Sequence, residues 1–353
     1  MAGPQPGTVR PDRTVMLSVF VVFLGLTLVL LALSFPAGVY SVFSGRLSRN
    51  FTYSSNVQPF LFIGPAVVRL PIQVSVGAMF AFLTTIYAAF LVYSMWQRER
   101  PMGAIRSAFR GGTGELMSSP FLVAVISIGF LTFSLISIDG IVSYAGAPIG
   151  ALSGDPMRLL VSLTYSPLVE EIGFRVLLIG VVAFILSVTR PWRKALSALW
   201  KPSNAIEGLS VGSGPSVIIW AATVFSAATF GVSHIGNPWD IGKLPDALFG
   251  GLVLGYLYVR YGFHVAVLAH WGDDFFGSVF SFFGQAAYGV PANSATQAYI
   301  LQSISLLNSI LLFGLVSFLL VTYLAVSKFV TWRSGAPAGD FDKGLQEGGG
   351  IQP

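Results

Sequence analysis

Apolar runs of about 20 residues recur along this chain, and they limit what it can fold into. The first run, Val15–Phe35, is 21 residues long, which is about the length that an α-helix needs to cross a bilayer. Of the 353 residues, 54% are hydrophobic and only 10% are charged, with a mean hydropathy of +0.74. A soluble domain carries about 25% charged residues. The sequence therefore predicts an all-α, polytopic membrane protein with about eight transmembrane helices bundled around a polar cavity.

Eight spans are predicted, and most are bounded by polar or Gly/Pro-rich connections. Residues 1–14 are predicted to be a cytoplasmic tail, 15–327 the transmembrane domain with a core at 157–284, and 328–353 a flexible tail. A break is expected at Ser166-Pro167 in the fourth span, because proline interrupts the helical hydrogen bonds. The predicted spans are 15–35, 71–96, 120–138, 157–188, 215–234, 248–259, 263–283 and 299–326.

The lysine and arginine residues of the connections indicate how the chain is oriented. With the N-terminus inside, the inner segments hold fourteen of the twenty basic residues and the outer segments five, while Arg175 is intramembrane. Cytoplasmic loops carry the excess of Lys and Arg, so both termini are predicted to be cytoplasmic, with the plasma membrane of a prokaryote as the expected location. Cysteine is absent, which excludes disulfides and thiol nucleophiles.

Three ionisable residues stand within six positions of the fourth span: Glu170, Glu171 and Arg175. Such groups are costly inside a membrane and are usually functional. Glu171 and Arg175 are four residues apart and share a helix face, which allows an ion pair. A purely structural ion pair would leave Glu170 unexplained. A carboxylate tuned by burial and by an adjacent carboxylate is suited to general-base catalysis.

The three histidines of the chain all lie in the second half of the predicted transmembrane domain. His234 ends the fifth span, and His270 stands one turn before Asp274 in the seventh. These residues and the glutamate pair form polar groups on three different helices, which predicts one shared site. His264 is expected at the membrane interface instead. Asp273 points about 100° away from Asp274 and is expected to support it or to face water.

These residues form three motifs: Glu-Glu-x-x-x-Arg at 170–175, Phe-x-x-x-His at 230–234 and His-x-x-x-Asp at 270–274. Together they resemble the CAAX protease and bacteriocin-processing family, intramembrane glutamic peptidases that include the Rce1-type endopeptidases. The resemblance covers residues 170–274. It implies an endopeptidase that acts on a peptide or protein substrate without a cofactor. In eukaryotic relatives the substrates are prenylated proteins with a C-terminal CAAX sequence, and nothing in this sequence indicates that substrate.

The resemblance also implies a role for each matching residue. Glu170 would activate a water molecule with help from His234, and Glu171 with Arg175 would hold the geometry. His270 and the residue at position 274 would stabilise the oxyanion. The chain departs from the family pattern at Val176, where glycine is common, and at Asp274, where asparagine is common.

Three other interpretations fit the same residues. Zinc could be bound by Glu170, His234, His270 and Asp274, which are nitrogen and oxygen ligands suited to it. A transporter could use the buried acids and histidines as a proton or cation relay, although no paired broken helices indicate inverted repeats. A catalytically silent relative could act as a scaffold. A further hypothesis is that the turn with Trp239 and Asp240 lines the mouth of the cavity.

Overall fold

The computed structural model describes residues 11–97, 100–206, 214–236, 239–289 and 306–334, and this part of the chain is mostly helical. The helices are α1 (Pro11–Phe43), α2 (Val76–Met95), α3 (Pro101–Gly111), α4 (Pro120–Tyr144), α5 (Pro156–Glu170), α6 (Val181–Leu186), α7 (Trp192–Trp200), α8 (Gly214–Ser233), α9 (Lys243–Tyr261), α10 (Phe263–Trp271), α11 (Gly277–Tyr288) and α12 (Leu306–Ser334). Two π-helical segments, Glu171–Gly180 and Gly272–Phe276, join α5 to α6 and α10 to α11. Short 3-10 turns lie at Thr113–Ser118 and Pro202–Asn204.

Five helices of the described residues are long and apolar enough to cross a membrane. These are Thr14–Phe43, Val76–Met95, Pro120–Tyr144, Gly214–Ser233 and Ser309–Val330. The other three predicted spans correspond to α9 and to two composite helices, which carry the ionisable residues. We call residues 156–186 the glutamate helix and residues 263–288 the histidine helix. The chain is thus an all-α polytopic membrane protein.

Helix α10, the N-terminal part of the histidine helix, lies at the centre of the bundle. All nine of its residues are buried, and it packs against α2, α4, α5 and α9. A helix that is apolar all round belongs in the interior of a large assembly of helices. The sequence from Phe263 to Ala269 is apolar except for His264. His270, near the end of this helix, is therefore held in the middle of the protein.

The predicted break at Ser166-Pro167 is wrong. Helix α5 continues through Pro167 to Glu170, and the change of register begins at Glu171. A proline inside a helix removes one donor, but neighbouring groups can satisfy the carbonyl groups that are left free. Near this point the Tyr87 hydroxyl of α2 donates to the Thr164 carbonyl at 2.6 Å, so α2 supports the helix beside the proline.

Two connections contain structure that the apolar pattern did not predict. Helices α3 and α7 lie in connections between predicted spans. The connection after α1 forms strands β1 (Asn56–Val57), β2 (Phe60–Ile63), β3 (Ala66–Arg69) and β4 (Val74–Ser75). Strands β1 and β4 pair with each other, while β2 and β3 form an antiparallel hairpin. These elements are too short to produce an apolar run of about 20 residues.

The outer helices extend past their predicted limits. Helix α1 begins at Pro11 and ends at Phe43, whereas the prediction was 15–35. Helix α12 continues to Ser334, beyond the residue 328 at which the tail was expected to begin. The remaining parts of the predicted tails, residues 1–10 and 335–353, lie outside the described residues, as do 299–305 of the eighth predicted span and 207–213 of the Gly/Ser-rich connection.

Candidate active site

The carboxylates of the glutamate helix lie where α5 gives way to the π segment. Glu171 and Arg175 are fully buried, and Arg175 Nε lies 3.3 Å from Glu171 Oε2. Nη2 of Arg175 also donates to the Gly251 carbonyl at 3.5 Å, and its guanidinium lies 4.4 Å above the Phe230 ring. The i,i+4 spacing predicted this ion pair. A buried charge needs such a partner, because desolvation of an unpaired ion is strongly unfavourable.

His270 joins the two carboxylates. Its Nδ1 lies 2.9 Å from Glu171 Oε1, and its Nε2 lies 3.6 Å from Glu170 Oε2 and 3.8 Å from Asp274 Oδ2. An ionised Glu171 can only accept a hydrogen bond, so Nδ1 carries the proton. Arg175, Glu171 and His270 therefore form a continuous chain that fixes the imidazole and directs its second nitrogen at Glu170 and Asp274.

Both π segments contain residues of this site. The first holds Glu171 and Arg175, and the second holds Asp273 and Asp274. Short π-helical insertions are rare and are frequent at functional sites. Glycine occurs within or beside both segments, and at Gly272 the Ile128 side chain fills the space that a Cβ would need. Neighbouring residues also pack closely on Gly173 and Gly180 of the first segment, so close packing on glycine accompanies the altered register.

His234 enters the site from the end of α8. Its Nδ1 lies 2.8 Å from the Phe230 carbonyl, which can only accept, so in the neutral ring Nδ1 carries the proton and Nε2 is left as an acceptor. The Phe230 ring contacts His234 with ring centroids 4.5 Å apart, and it contacts His270 at 5.9 Å. Phe230 thus separates and positions the two histidines, a role that the motif spacing alone did not indicate.

A small cavity of about 70 Å³ lies between these helices. Six of the residues that line it have polar side chains: His234, Lys243, Asp246, His270, Asp273 and Asp274. This volume holds about two water molecules. The side chain of Glu170 is 12% exposed, and it contacts His270, one of the residues that line the cavity. The structure therefore brings together all six predicted site residues, with Glu170 in contact with His270 and His234 beside it across Phe230.

Asp273 also belongs to this region. Its Oδ1 accepts a hydrogen bond from Thr132 Oγ1 of α4 at 2.9 Å, and its side chain lines the cavity. Thr132 therefore holds Asp273 in place, and Asp274 is the carboxylate that faces His270.

Lys243 and Asp246 were missed as site residues. Lys243 forms an ion pair with Asp246, its Nζ lies 3.9 Å from Asp139 Oδ2, and the same atom lies 4.7 Å from the Trp239 ring centroid. Lys243 lines both the small cavity and a wide, shallow cavity of about 660 Å³ that Asp139 and Trp239 also line. It therefore lies at the junction between the two. The i,i+3 spacing of Lys243 and Asp246 was the available signal.

The hypothesis for the cavity mouth involved Trp239 and Asp240. Trp239 lines the wide cavity, and the Asp240 amide donates to the Ile149 carbonyl at 2.9 Å. Residues 237–238 of this turn lie outside the described residues.

His264 lies away from this group. It is buried, its Nε2 is 2.8 Å from Gln97 Nε2, and its ring stacks on Trp200 with centroids 5.6 Å apart. Within the described ranges no set of three or more His, Asp or Glu is arranged to hold a metal ion. The zinc-dependent interpretation stays a prediction.

Comparison with protein families supports the motif resemblance. The family model described as type II CAAX prenyl endopeptidase Rce1-like matches residues 153–276. This segment is Rce1-like. It begins just before α5, ends with the second π segment and contains every candidate site residue. The match covers 124 of the 353 residues and is a similarity to a family of CAAX prenyl endopeptidases. No curated protein and no solved structure matches the chain.

Proposed function

We propose that the protein is an intramembrane endopeptidase in which Glu170 activates a water molecule to hydrolyse a peptide bond. The observation that carries this proposal is the chain from Arg175 through Glu171 to His270, which directs His270 Nε2 at Glu170 with 3.6 Å between the two groups. A catalytic group held by a second buried group, itself held by a third, is the usual arrangement of an activated acid or base.

In the first step Glu170 takes a proton from water, and the resulting hydroxide attacks the scissile carbonyl carbon. His234 assists because its free Nε2 accepts a hydrogen bond and can orient the same water. Glu170 then returns the proton to the leaving amine as the C–N bond breaks. Both steps use groups that border the small cavity or contact His270.

The tetrahedral intermediate carries a negative oxygen that needs hydrogen-bond donors. His270 supplies one through Nε2 when its ring is doubly protonated, since the Nδ1 proton is already used on Glu171. Asp274 is 3.8 Å from the same nitrogen. It donates to the oxyanion only in its protonated form, whereas asparagine would donate in any state.

The proposed substrate is a peptide segment at a C-terminus or close to the membrane. It would reach the site through the wide cavity lined by Trp239 and Lys243, which faces the outer side if both termini are cytoplasmic. We place the protein in the plasma membrane of a prokaryote, with both termini in the cytoplasm on the basis of the charge distribution. Tagging each terminus and measuring its protease accessibility tests this orientation.

The experiment that tests the activity uses purified protein in proteoliposomes with a set of candidate membrane-proximal peptides. We expect cleavage by the wild type and a loss of cleavage in Glu170→Ala and in His234→Ala. Proton flux that depends on Glu170, without peptide cleavage, would favour the relay instead. Inhibition of cleavage by 1,10-phenanthroline that Zn²⁺ reverses would favour the zinc-dependent form.

A further inference from the structure

The β2–β3 hairpin lies alongside the glutamate helix at the level of the site. Phe60 of β2 is hydrogen-bonded to the Tyr165 hydroxyl, and the Gly64 amide of the turn donates to the Gly173 carbonyl at 3.3 Å. From Tyr165 to Gly173 is about 12 Å along a helix. The glutamate helix runs from 156 to 186, so its midpoint is residue 171. The hairpin thus reaches the middle of a predicted membrane span.

The hydrogen-bond pattern shows which backbone groups point outward. Pro59 and Leu70 are a hydrogen-bonded pair, since the Leu70 amide donates to the Pro59 carbonyl at 2.8 Å. Bonded and non-bonded pairs alternate in an antiparallel ladder. Phe62↔Val67 and Phe60↔Arg69 are therefore non-bonded pairs. The N–H and C=O groups of Val67 and Arg69 consequently point to the outer edge of β3.

That outer edge is open in the described part of the chain. The hairpin is a two-stranded sheet, and all four residues of β3 are exposed. Its exposed side chains are mostly apolar, with Val67 55% and Val68 42% exposed. Open sheet edges do not face lipid within the hydrocarbon region, because no water is present there to satisfy their backbone groups. An edge at this depth therefore needs water or another strand.

We propose that the substrate binds to β3 as a third strand of this hairpin. The inference rests on the proposed peptidase function and names how that site receives its peptide. A peptide added to a sheet edge is held by its main chain in an extended form. A peptide bond in a helix must leave that helix before a buried catalytic water can reach it. Strand addition supplies the extended form and satisfies the open edge at once.

Aromatic contacts connect the hairpin to the catalytic residues. Phe62 packs on Phe174 with ring centroids 5.8 Å apart, and Phe174 packs on Phe230 at 5.1 Å. Phe230 in turn contacts His234 and His270. Gly173 lets the hairpin approach, because the Phe62 side chain occupies the place of its missing Cβ. The sheet is thus fixed against the helix that carries Glu170.

Cross-linking tests the inference directly, because the chain contains no cysteine. Single cysteines are introduced as Val67→Cys or Val68→Cys in full-length Glu170→Gln protein. Each variant is oxidised with peptides that carry one cysteine at successive positions. Side chains alternate between the two faces of a strand. We expect Val67→Cys to link most strongly to one peptide position and more weakly to the positions two residues away, while Val68→Cys links to the positions between them.

Links without this alternation, or no links at all, would overturn strand addition. The result does not depend on cleavage, since Glu170→Gln is used for binding only. Alternating links with no cleavage by the wild-type protein would contradict the proposed peptidase and leave strand addition standing. Cleavage by the wild-type protein without alternating links would contradict strand addition and leave the proposed peptidase standing.

A second experiment removes one backbone N–H group that points to the outer edge of β3. Val67→Pro deletes the N–H of Val67 but leaves the bonds within the hairpin intact, while Val67→Thr keeps this donor and the approximate shape. We expect KM for a cleaved peptide to rise about fivefold in Val67→Pro, as for the loss of one hydrogen bond. Val67→Thr should stay within twofold of the wild type. Equal KM values for both variants would contradict the proposal.

Discussion

His270 Nδ1 lies 2.9 Å from Glu171 Oε1, and this contact joins the histidine helix to the glutamate helix at the centre of the bundle. Glu171 is held in turn by Arg175, whose Nε is 3.3 Å from the second carboxylate oxygen. One glutamate thus pairs a buried arginine and orients a buried histidine. Glu170, the adjacent residue, is left to face His270 Nε2 at 3.6 Å, which separates the two carboxylates into a support and a base.

Glu171→Gln should therefore lower stability as well as activity. The substitution leaves the Arg175 guanidinium buried without its charge partner, and breaking a buried ion pair costs about 3–5 kcal/mol. We expect a clear drop in the thermal unfolding temperature in detergent and the loss of cleavage. The control is Glu171→Gln combined with Arg175→Met, which should restore most of the stability but none of the cleavage. Full activity of Glu171→Gln would contradict the supporting role.

His234→Ala should lower kcat about 100-fold or more with little change in KM. His234 presents a free Nε2 to the cavity, and a positioned acid or base contributes about 10²–10⁴-fold. The matched control is His264→Gln, since His264 is buried among aromatic rings away from the site. Steady-state kinetics on a cleaved peptide should show His264→Gln within about threefold of the wild type. Equal effects of both substitutions would argue against a catalytic His234.

Much of the site could be predicted from the sequence because ionisable residues are rare in apolar helices. Glu170, Glu171 and Arg175 stood out against their surroundings, and the spacing of His270 and Asp274 placed both on one helix face. The structure brings these residues together with His234, and the Arg175–Glu171 pair has the predicted i,i+4 geometry. Residue type and helical period are local properties, which a single sequence shows directly.

The π segments and the hairpin could not be predicted in the same way. A π turn differs from an α turn by one residue, and its stability depends on neighbours such as Ile128, which packs on Gly272. The hairpin residues Phe60–Ile63 are apolar, and short apolar runs do not distinguish a strand from a helix. Lys243 lies between the predicted fifth and sixth spans, and its approach to Asp139 joins two helices that are distant in sequence, so its place in the site was not predicted.

Asp274→Asn should preserve cleavage, whereas Asp274→Ala should lower kcat by about 10²-fold. Asparagine can donate a hydrogen bond to an oxyanion and alanine cannot, and removal of one such donor costs about 10²–10³-fold. Asp274 lies 3.8 Å from His270 Nε2, so both side chains can contact the same oxyanion. The measurement is kcat for the three proteins at one pH. If Asp274→Asn were as slow as Asp274→Ala, an ionised carboxylate would be needed there.

Tyr87→Phe should destabilise the glutamate helix beside Pro167. The substitution removes the hydroxyl that donates to the Thr164 carbonyl at 2.6 Å, while the ring keeps its stacking on Trp271 at 4.8 Å. Loss of one buried hydrogen bond costs about 1 kcal/mol. We expect a small drop in thermal stability and faster hydrogen exchange in residues 164–171. Unchanged exchange there would show that the helix does not depend on Tyr87.

The central claim is that Glu170 activates the water that cleaves the peptide bond. The most direct test is the single-turnover rate of peptide cleavage by purified wild-type protein and by Glu170→Gln, which keeps the shape of the side chain but cannot take a proton. Peptide binding is measured in parallel to confirm that both proteins are loaded. We predict a fall in rate of about 10²–10⁴-fold with binding unchanged. An undiminished rate in Glu170→Gln would contradict the account.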